Sequence, residues 1–589
     1  MAYWKTGTLL TAAVLALGGV DIAERPRQAP FPDPVLLSGE SCLGSESSAR
    51  RLSLFLGAAR AYAESGKVDN TFAAGLTAPI ITYPVTTESP DAQDLFDLGL
   101  SLVISFNHDA AIDVFRQAQA ADPGCAMCHW GEAFARGSNL NLAVGEDALQ
   151  LAHDAAQAAK LRASGTPVLE QVLIDAMVAR YPRTEDGNVS ENPVAFADAL
   201  ALAAVQYPNN DLVLSLAAEA AMNTQPWDYW QADGHTPKGR TAEVINLLET
   251  VLDRNPDFVH AIHLYIHATE ASDDPFRAIA TAEQLPGLAP QSGHLVHMPS
   301  HLWYLTGQWK RSMESNLAAA HADELYIASG NAPPLYEYGY YPHNLHFILT
   351  SAMMAGDGKT ALSTASRLDA ALPQDMSSLA PWIALIRPSA YYAHAQFSAP
   401  DIVLGLPDPG TESVMDSVAW HYARGLAFAA EGGTVSAQAE ADRIDALITS
   451  DGVAELEAQY LPAGDIARIS SLIVTARIAA RNGDFDSAIS QMERAADLQD
   501  ALPYSEPPIW YYPARQTLAA LLLQDGQIDR AEVMFRRALL KSPNNAHALY
   551  GLWQTYKAKG DRRSARYAKH LFKKAWMGKR GASPELARL

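Results

Sequence analysis

Pro256 and Pro290 stand 34 residues apart, and each is followed by the same pattern of histidines. His260, His263 and His267 come four, seven and eleven residues after the first proline; His294, His297 and His301 come four, seven and eleven after the second. On an α-helix, positions i, i+3 and i+7 share one face. Two helices one period apart therefore present the same stripe of three imidazoles. A third copy follows. Gly307 and Gly356 occupy like places 49 residues apart, and that offset carries His294 and His297 onto His343 and His346. The 15 extra residues fall in SGNAPPLYEYGYYP, a natural loop insertion, and the third member of that stripe is Thr350. Eight of the 17 histidines thus occupy equivalent places in three successive units.

The same period organises most of the chain. Apolar or small residues at steps of four, three and five lead into a closing proline at Ala111-Phe115-Ala118-Pro123 and Val244-Leu248-Val251-Pro256. The steps return at Ala278-Ala282-Leu285-Pro290, Ala361-Ala365-Leu368-Pro373 and Ala531-Phe535-Ala538-Pro543. A period of 34 with this pattern is that of the tetratricopeptide repeat, a helix–turn–helix unit that cannot bury its apolar face alone and must stack on its neighbours. Small residues let helices approach, and the proline ends one unit before the next begins. No alternating strand pattern interrupts the chain from Asp91 onward. The expected fold is all-α, an α-solenoid of antiparallel helix pairs wound into a right-handed superhelix. The expected divisions are a targeting segment over 1–20, an extension with one helix (Ser45–Ser65) and a linker over 21–90, a solenoid carrying the histidines and cysteines over 91–375, and a second stretch of repeats over 376–589.

Lys5 and the short apolar run Leu9–Val20 form a signal segment or N-terminal anchor, too short for a comfortable span of roughly 20 residues. The expected location is extracytoplasmic, with no integral membrane domain beyond that segment. A net charge of −22 argues against nucleic acid as a partner, since phosphate needs a basic surface. Three cysteines, Cys42, Cys125 and Cys128, are too few for a disulfide scaffold. There is no nucleotide-binding loop and no phosphate cradle.

In tetratricopeptide repeats the residues four, seven and eleven after the closing proline line the concave groove. That places His260, His263, His267, His294, His297, His301, His343 and His346 there. Neutral imidazole is a ligand for Zn, Cu and Fe, and helices stacked roughly 8–10 Å apart let neighbouring repeats share one ion. The geometry expected is one pocket in which His263, His267, His297 and His301 converge. His343 and His346 would lie close by, with His260 and His294 at the edge. Glu270 and Tyr265 are candidates to support the ligands, and Trp227, Asp228 and Trp230 to wall the groove. The alternative is a polar, metal-free groove that binds a peptide.

Cys125-Ala-Met-Cys128-His129 matches the covalent attachment motif of c-type haem, in which two thiols join the vinyl groups and the histidine ligates iron. The same residues fit a Cys125–Cys128 disulfide, a metal contribution or core thiols equally well. His108 in FNHD sits at a turn from which either site is in reach.

The motifs FNHDAAIDVF, DPGCAMCHWGEA, AIHLYIHATEAS, GHLVHMPSH and YYPHNLHF resemble those of exported bacterial tetratricopeptide proteins whose function is poorly defined. The resemblance covers about residues 95–350 and implies a histidine-rich solenoid interior; similar proteins often carry Tyr in place of His129. Three functions are open at this point: a groove that binds a transition metal together with a peptide or small molecule, a metal- or haem-dependent oxidoreductase, and a metal-free interaction scaffold.

Overall fold

The computed structural model describes residues 76, 78–373, 381–510 and 512–589. Among them helix follows helix, and extended pairing is limited to three isolated bridges, Asn139–Leu142, Arg183–Val189 and Trp230–Pro237. The chain is an all-α solenoid of antiparallel helix pairs of the tetratricopeptide type. No helix among the described residues is long and apolar enough to cross a membrane. The apolar run Leu9–Val20, Cys42 and the helix expected over Ser45–Ser65 lie outside the described residues.

Helix α1 (Pro90–Ile104) begins where the Ser89 hydroxyl accepts the Ala92 amide and Pro90 occupies the first turn, a place where its missing N–H costs nothing. Helix α2 (His108–Ala121) runs back beside it, and α3 (Ala126–Ala135) starts just after Pro123. Their packing shows why the repeat pattern holds. Phe115 of α2 lies directly over Gly131 of α3, where a Cβ would come within 2.3 Å of its ring. Phe535 and Gly551 repeat the device near the other end, at 2.1 Å. In both units the phenylalanine precedes the proline by eight residues and the glycine follows it by eight. Each buried ring contributes roughly 2–3 kcal/mol, and a side chain at either glycine would push the two helices apart.

Helix α4 (Asp211–Met222) precedes the histidine repeats, and α5 (Val259–Glu270) carries the first stripe. The second stripe is divided. Pro299 has no amide to donate, so the helix breaks into α6 (Gly293–His297) and α7 (Pro299–Leu305). Met298 between them keeps helical angles (φ −48°, ψ −42°), and the stripe continues across the break. The insertion before the third stripe follows a long α8 (Trp309–Ala328) and includes a π-helical turn, Tyr336–Tyr340, that leads into α9 (Tyr341–Ala355).

The expected concave groove is covered over, and its histidines, His343 apart, are buried. Helices α10 (Ile528–Lys541), α11 (Ala546–Lys559) and α12 (Arg562–Ala575) bring the end of the chain back onto the histidine repeats. Asn544 Nδ2 donates to the Gly307 carbonyl (3.2 Å), and the Met577 amide donates to the Ala355 carbonyl (2.9 Å). Trp576 rests on Gly356, which has φ 76° and where a Cβ would lie 2.1 Å from the indole. One apolar core runs from Leu76 to Tyr340 and a second from Tyr304 to Ala531, and they overlap in the histidine repeats.

Candidate metal centre

Helices α5, α6, α7 and α9 place the three stripes in contact, but not ring against equivalent ring. Six of the eight histidines form two triads, and each triad follows one rule. The residues seven and eleven after a proline join the residue at the first place of the next stripe. His263 and His267 of α5 thus meet His294 of α6, and His297 and His301 meet His343 of α9. The next helix is therefore displaced along its neighbour by about five residues, roughly 7.5 Å of rise.

In the first triad, His263 Nε2 lies 3.2 Å from His267 Nε2 and 3.1 Å from His294 Nε2. In the second, His297 Nε2 lies 2.6 Å from His301 Nε2, and the His297 and His343 rings are 4.8 Å apart between centroids. The two triads adjoin, with 5.5 Å between the His267 and His301 rings and 6.2 Å between those of His294 and His297. Bonds of roughly 2.0–2.1 Å to one ion put its nitrogens roughly 3–3.5 Å apart, so the first triad has the spacing of a shared cation, while the 2.6 Å between His297 and His301 is a hydrogen-bond distance that an ion would have to widen.

The opposite nitrogens are held. His263 Nδ1 donates to the Ile104 carbonyl (2.9 Å), His267 Nδ1 to Glu270 Oε1 (2.8 Å) and His297 Nδ1 to Asn316 Oδ1 (2.6 Å). Asn316 is itself oriented by its Nδ2, which donates to the Ser312 carbonyl (2.7 Å). His301 Nδ1 donates to Glu270 Oε2 (2.7 Å) and is paired with Glu506. For His263, His267 and His297 a hydrogen on Nδ1 leaves the Nε2 lone pair facing the triad, and outer partners of this kind orient metal-ligating histidines. Glu270, 1% exposed, serves both triads through its two oxygens and also accepts the Tyr504 hydroxyl (2.8 Å). His267, Glu270, His301 and Glu506 are also close enough to share an ion, but there the nitrogens already donate to or pair with carboxylates.

Burial sets the protonation. It lowers His263, His294, His297 and His343 well below the ordinary histidine range, and neighbouring imidazoles lower them further. Burial also opposes a charge on His301, but Glu506 and Glu270 outweigh it and raise this group to about 10. Its Nε2–H then donates to His297 Nε2, so that a proton stands where a metal ion would bridge the rings. Glu506, buried beside the Glu270 charge, is pushed well above the usual carboxylate range. Glu270 stays well below that range: burial works against its charge, but His301 and the hydrogen bonds it accepts prevail. Each triad also has its own phenylalanine. Phe106, with φ 58°, lies 4.5 Å from the His263 ring and stacks on His294 at 5.0 Å, while Phe347 stacks on His301 at 5.2 Å.

His294, expected at the edge, and His343, expected close by, are both triad members. His260 and His346 belong to neither triad. The register explains both. The residue eleven after Pro208, in the unit before α5, is Glu219 rather than histidine, and His260 Nε2 lies 3.0 Å from its Oε2. His346 would need a partner at Thr350, whose hydroxyl instead donates to the His346 carbonyl. Tyr265 faces away from the centre and donates to Glu249. Trp227 does wall the centre, edge-on to His267 at 5.2 Å, and Trp230 Nε1 donates to the Ala268 carbonyl and braces α5. Asp228 pairs with Lys238 at the surface. His108 reaches neither site, because its Nδ1 donates to the Ala135 carbonyl (2.8 Å) and Phe106 stands between it and the triad.

The haem expectation for Cys125, Cys128 and His129 is corrected. The two cysteines form a disulfide, so no thiol remains for a vinyl group. Both are fully buried against Ala92 and Ala118, where the packing is already closed. His129 is held at about 4 by burial and by the charge of Arg162.

Glu506, Tyr504, Asn316, Phe106 and Phe347 carried no signal in the histidine pattern. The first two lie on the turn after Ala501, more than 200 residues from Glu270 (a separation of 234 for Tyr504). Neither a family model nor a curated protein matches the chain. Solved structures similar to it include the human IFIT1 dimer with m7Gppp-AAAA, at 10% identity over 83% of this chain and 90% of that one, TM-score 0.30. Yeast Tom70 is similar at 15% identity over 82% and 91%, TM-score 0.25. The APC/C hetero-tetramer Cut9–Hcn1 is similar at 14% over 82% and 90%, TM-score 0.23. Likenesses at these scores carry no argument about the site.

Proposed function

We propose that this protein is an exported, metal-dependent oxidoreductase built on a repeat solenoid. One ion is held by His263, His267 and His294, and a second by His297, His301 and His343. The observation that carries the proposal is the double convergence of imidazole nitrogens on two adjoining points, with outer nitrogens tied to a carbonyl, an amide and a shared carboxylate. Three protein ligands leave a coordination position open, as catalytic rather than structural sites do. His294, His301 and His343 also line a cavity of ≈ 490 Å³ in which a small molecule would meet those positions.

Neither triad contains a thiolate or a carboxylate. All-imidazole shells suit Cu, Zn and Fe, and of the divalent ions copper binds such sites most tightly. Two adjoining one-electron centres can together accept two electrons from one substrate. The enclosure favours a small molecule over a peptide laid along an open groove. The apolar run after Lys5 supports export, and the Cys125–Cys128 disulfide suits an oxidising compartment.

Elemental analysis tests the proposal. Full-length protein exposed in turn to copper, zinc and ferrous iron, then desalted, should retain two ions per chain with at least one of them. His267→Ala with His301→Ala, one ligand from each triad, should retain none while the far-ultraviolet circular dichroism is unchanged. A wild-type chain that retains no ion of any of the three metals would falsify it.

A further inference from the structure

The cavity beside the triads has a composition that selects its occupant. Its walls are aromatic: Trp227, Tyr340, Trp382 and Tyr504 surround the His294, His301 and His343 edges. Trp382 lies 5.9 Å from the His343 ring and Tyr340 lies 5.1 Å from that of His294, and the two rings pack on each other at 6.4 Å, so an aromatic molecule seated against this pair would lie beside both triads. Among the described residues that line the cavity there is no lysine or arginine, and the one ionisable acid, Glu506, is engaged with His301. With no lysine or arginine on the wall, the only counter-charge open to an anionic substrate is the bound ions themselves, so a carboxylate would compete with the reacting group for their open positions. The volume, ≈ 490 Å³, exceeds that of a single benzene ring and is in the range of small-molecule sites.

We infer that this cavity takes a neutral, electron-rich aromatic compound of the catechol class, and that the paired centre oxidises it with dioxygen as the electron acceptor. The inference rests on the metal-dependent reading above and names its substrate. Each catechol loses two electrons and two protons: its two O–H bonds break, two C=O bonds form and an o-quinone leaves. Dioxygen takes four electrons and four protons, its O–O bond breaks, and two waters form for every two catechols consumed. One catechol supplies the two electrons that a pair of one-electron ions can accept together.

The experiment uses full-length, copper-loaded protein with its copper content measured. Oxygen uptake is followed with catechol and with 3,4-dihydroxybenzoate, which adds one carboxylate to the same ring. Catechol should support uptake of one O₂ per two molecules, with the benzoate KM about tenfold or more higher, the equivalent of roughly 1.4 kcal/mol. Catechol should also shift the visible spectrum of the cupric protein under nitrogen. Trp382→Ala should retain two coppers and raise the catechol KM about tenfold, the scale of one lost aromatic contact. Leu461→Arg, which places a cation at the cavity wall, should narrow the difference between the two substrates. Two bound coppers with neither oxygen uptake nor a spectral shift would overturn this inference and leave the paired site standing. Equal handling of the two substrates by the wild type would overturn the charge argument. A chain that binds no copper would remove both readings.

Discussion

The histidine repeats and the unit that begins at Pro543 share one pattern and do different things with it. After Pro256 and Pro290 the fourth, seventh and eleventh residues are all histidine; after Pro543 they are His547, Tyr550 and Gln554. The orientation is inherited in both regions, because each closing proline is preceded by buried apolar or small residues at the same steps, Val244, Leu248 and Val251 before Pro256 and Ala531, Phe535 and Ala538 before Pro543. The chemistry is not inherited. Tyr550 and Gln554 are half-exposed, and Tyr550 packs on Phe572 at 5.4 Å. His547 is 6% exposed and its Nε2 meets the Met353 carbonyl at 3.2 Å, which makes it part of the seam that closes the molecule. A repeat thus fixes where a side chain points. A metal centre needs three consecutive stripes with complementary residues, and an enclosure that keeps water out.

The largest effects should follow the register between stripes. His294→Ala should cost the ion held by His263 and His267, and His343→Ala the ion held by His297 and His301. Each loss should lie well beyond the about 10–100-fold that follows removal of an outer partner. His260→Ala and His346→Ala, equally conspicuous in the sequence, should leave both ions bound. Metal titration of the four variants by calorimetry separates this pattern from a groove in which all eight histidines contribute alike.

The seam comes next. Gly356→Val puts a branched side chain where φ is 76° and where a Cβ already meets Trp576 at 2.1 Å. Urea unfolding should show a loss of roughly 3 kcal/mol. An equally branched side chain at Gly165, which also has positive φ but open space around it, should cost less, and the difference measures the seam itself.

Much of the fold was written in the chain. The 34-residue offset, the closing prolines and the small residues predict stacked helix pairs, and they are there. The identity of the candidate ligands was equally plain, since all six triad members belong to the stripes. The displacement between neighbouring helices was not. Equal offsets imply equal orientation but say nothing of how far one helix slides along the next, and that slide puts His294 with His263 rather than with His260. The closure left no periodic trace, because Tyr504, Glu506 and Trp576 act across more than 200 residues of sequence. The Cys125–His129 motif was ambiguous for the opposite reason. Five adjacent residues describe a local bond pattern, and only their packed surroundings choose between haem and a disulfide.

Glu270→Gln should have an intermediate effect on both ions at once. The amide keeps the shape but loses the charge that His267 and His301 share, and both affinities should fall about 10–100-fold in the same titration. A fall confined to one ion would break the symmetry between the triads.

The smallest effect concerns acid. Burial holds His547 at about 4, below the ordinary histidine range. A depressed histidine binds protons more readily once unfolded, so its contribution is fully present above about pH 6.5 and is lost as pH falls toward about 4. Between about pH 7.5 and about pH 5.5 the wild type should lose about 1 kcal/mol from this group. His547→Gln should lose less over the same window, measured by urea unfolding at both values.

Anomalous diffraction at the copper edge from crystals of copper-loaded protein tests the central claim most directly. Two peaks per chain should appear, one bonded to the Nε2 atoms of His263, His267 and His294 and the other to those of His297, His301 and His343, at roughly 2.0–2.1 Å. A single peak between Glu270 and Glu506, or a peak bonded to His260 or His346, would contradict the account.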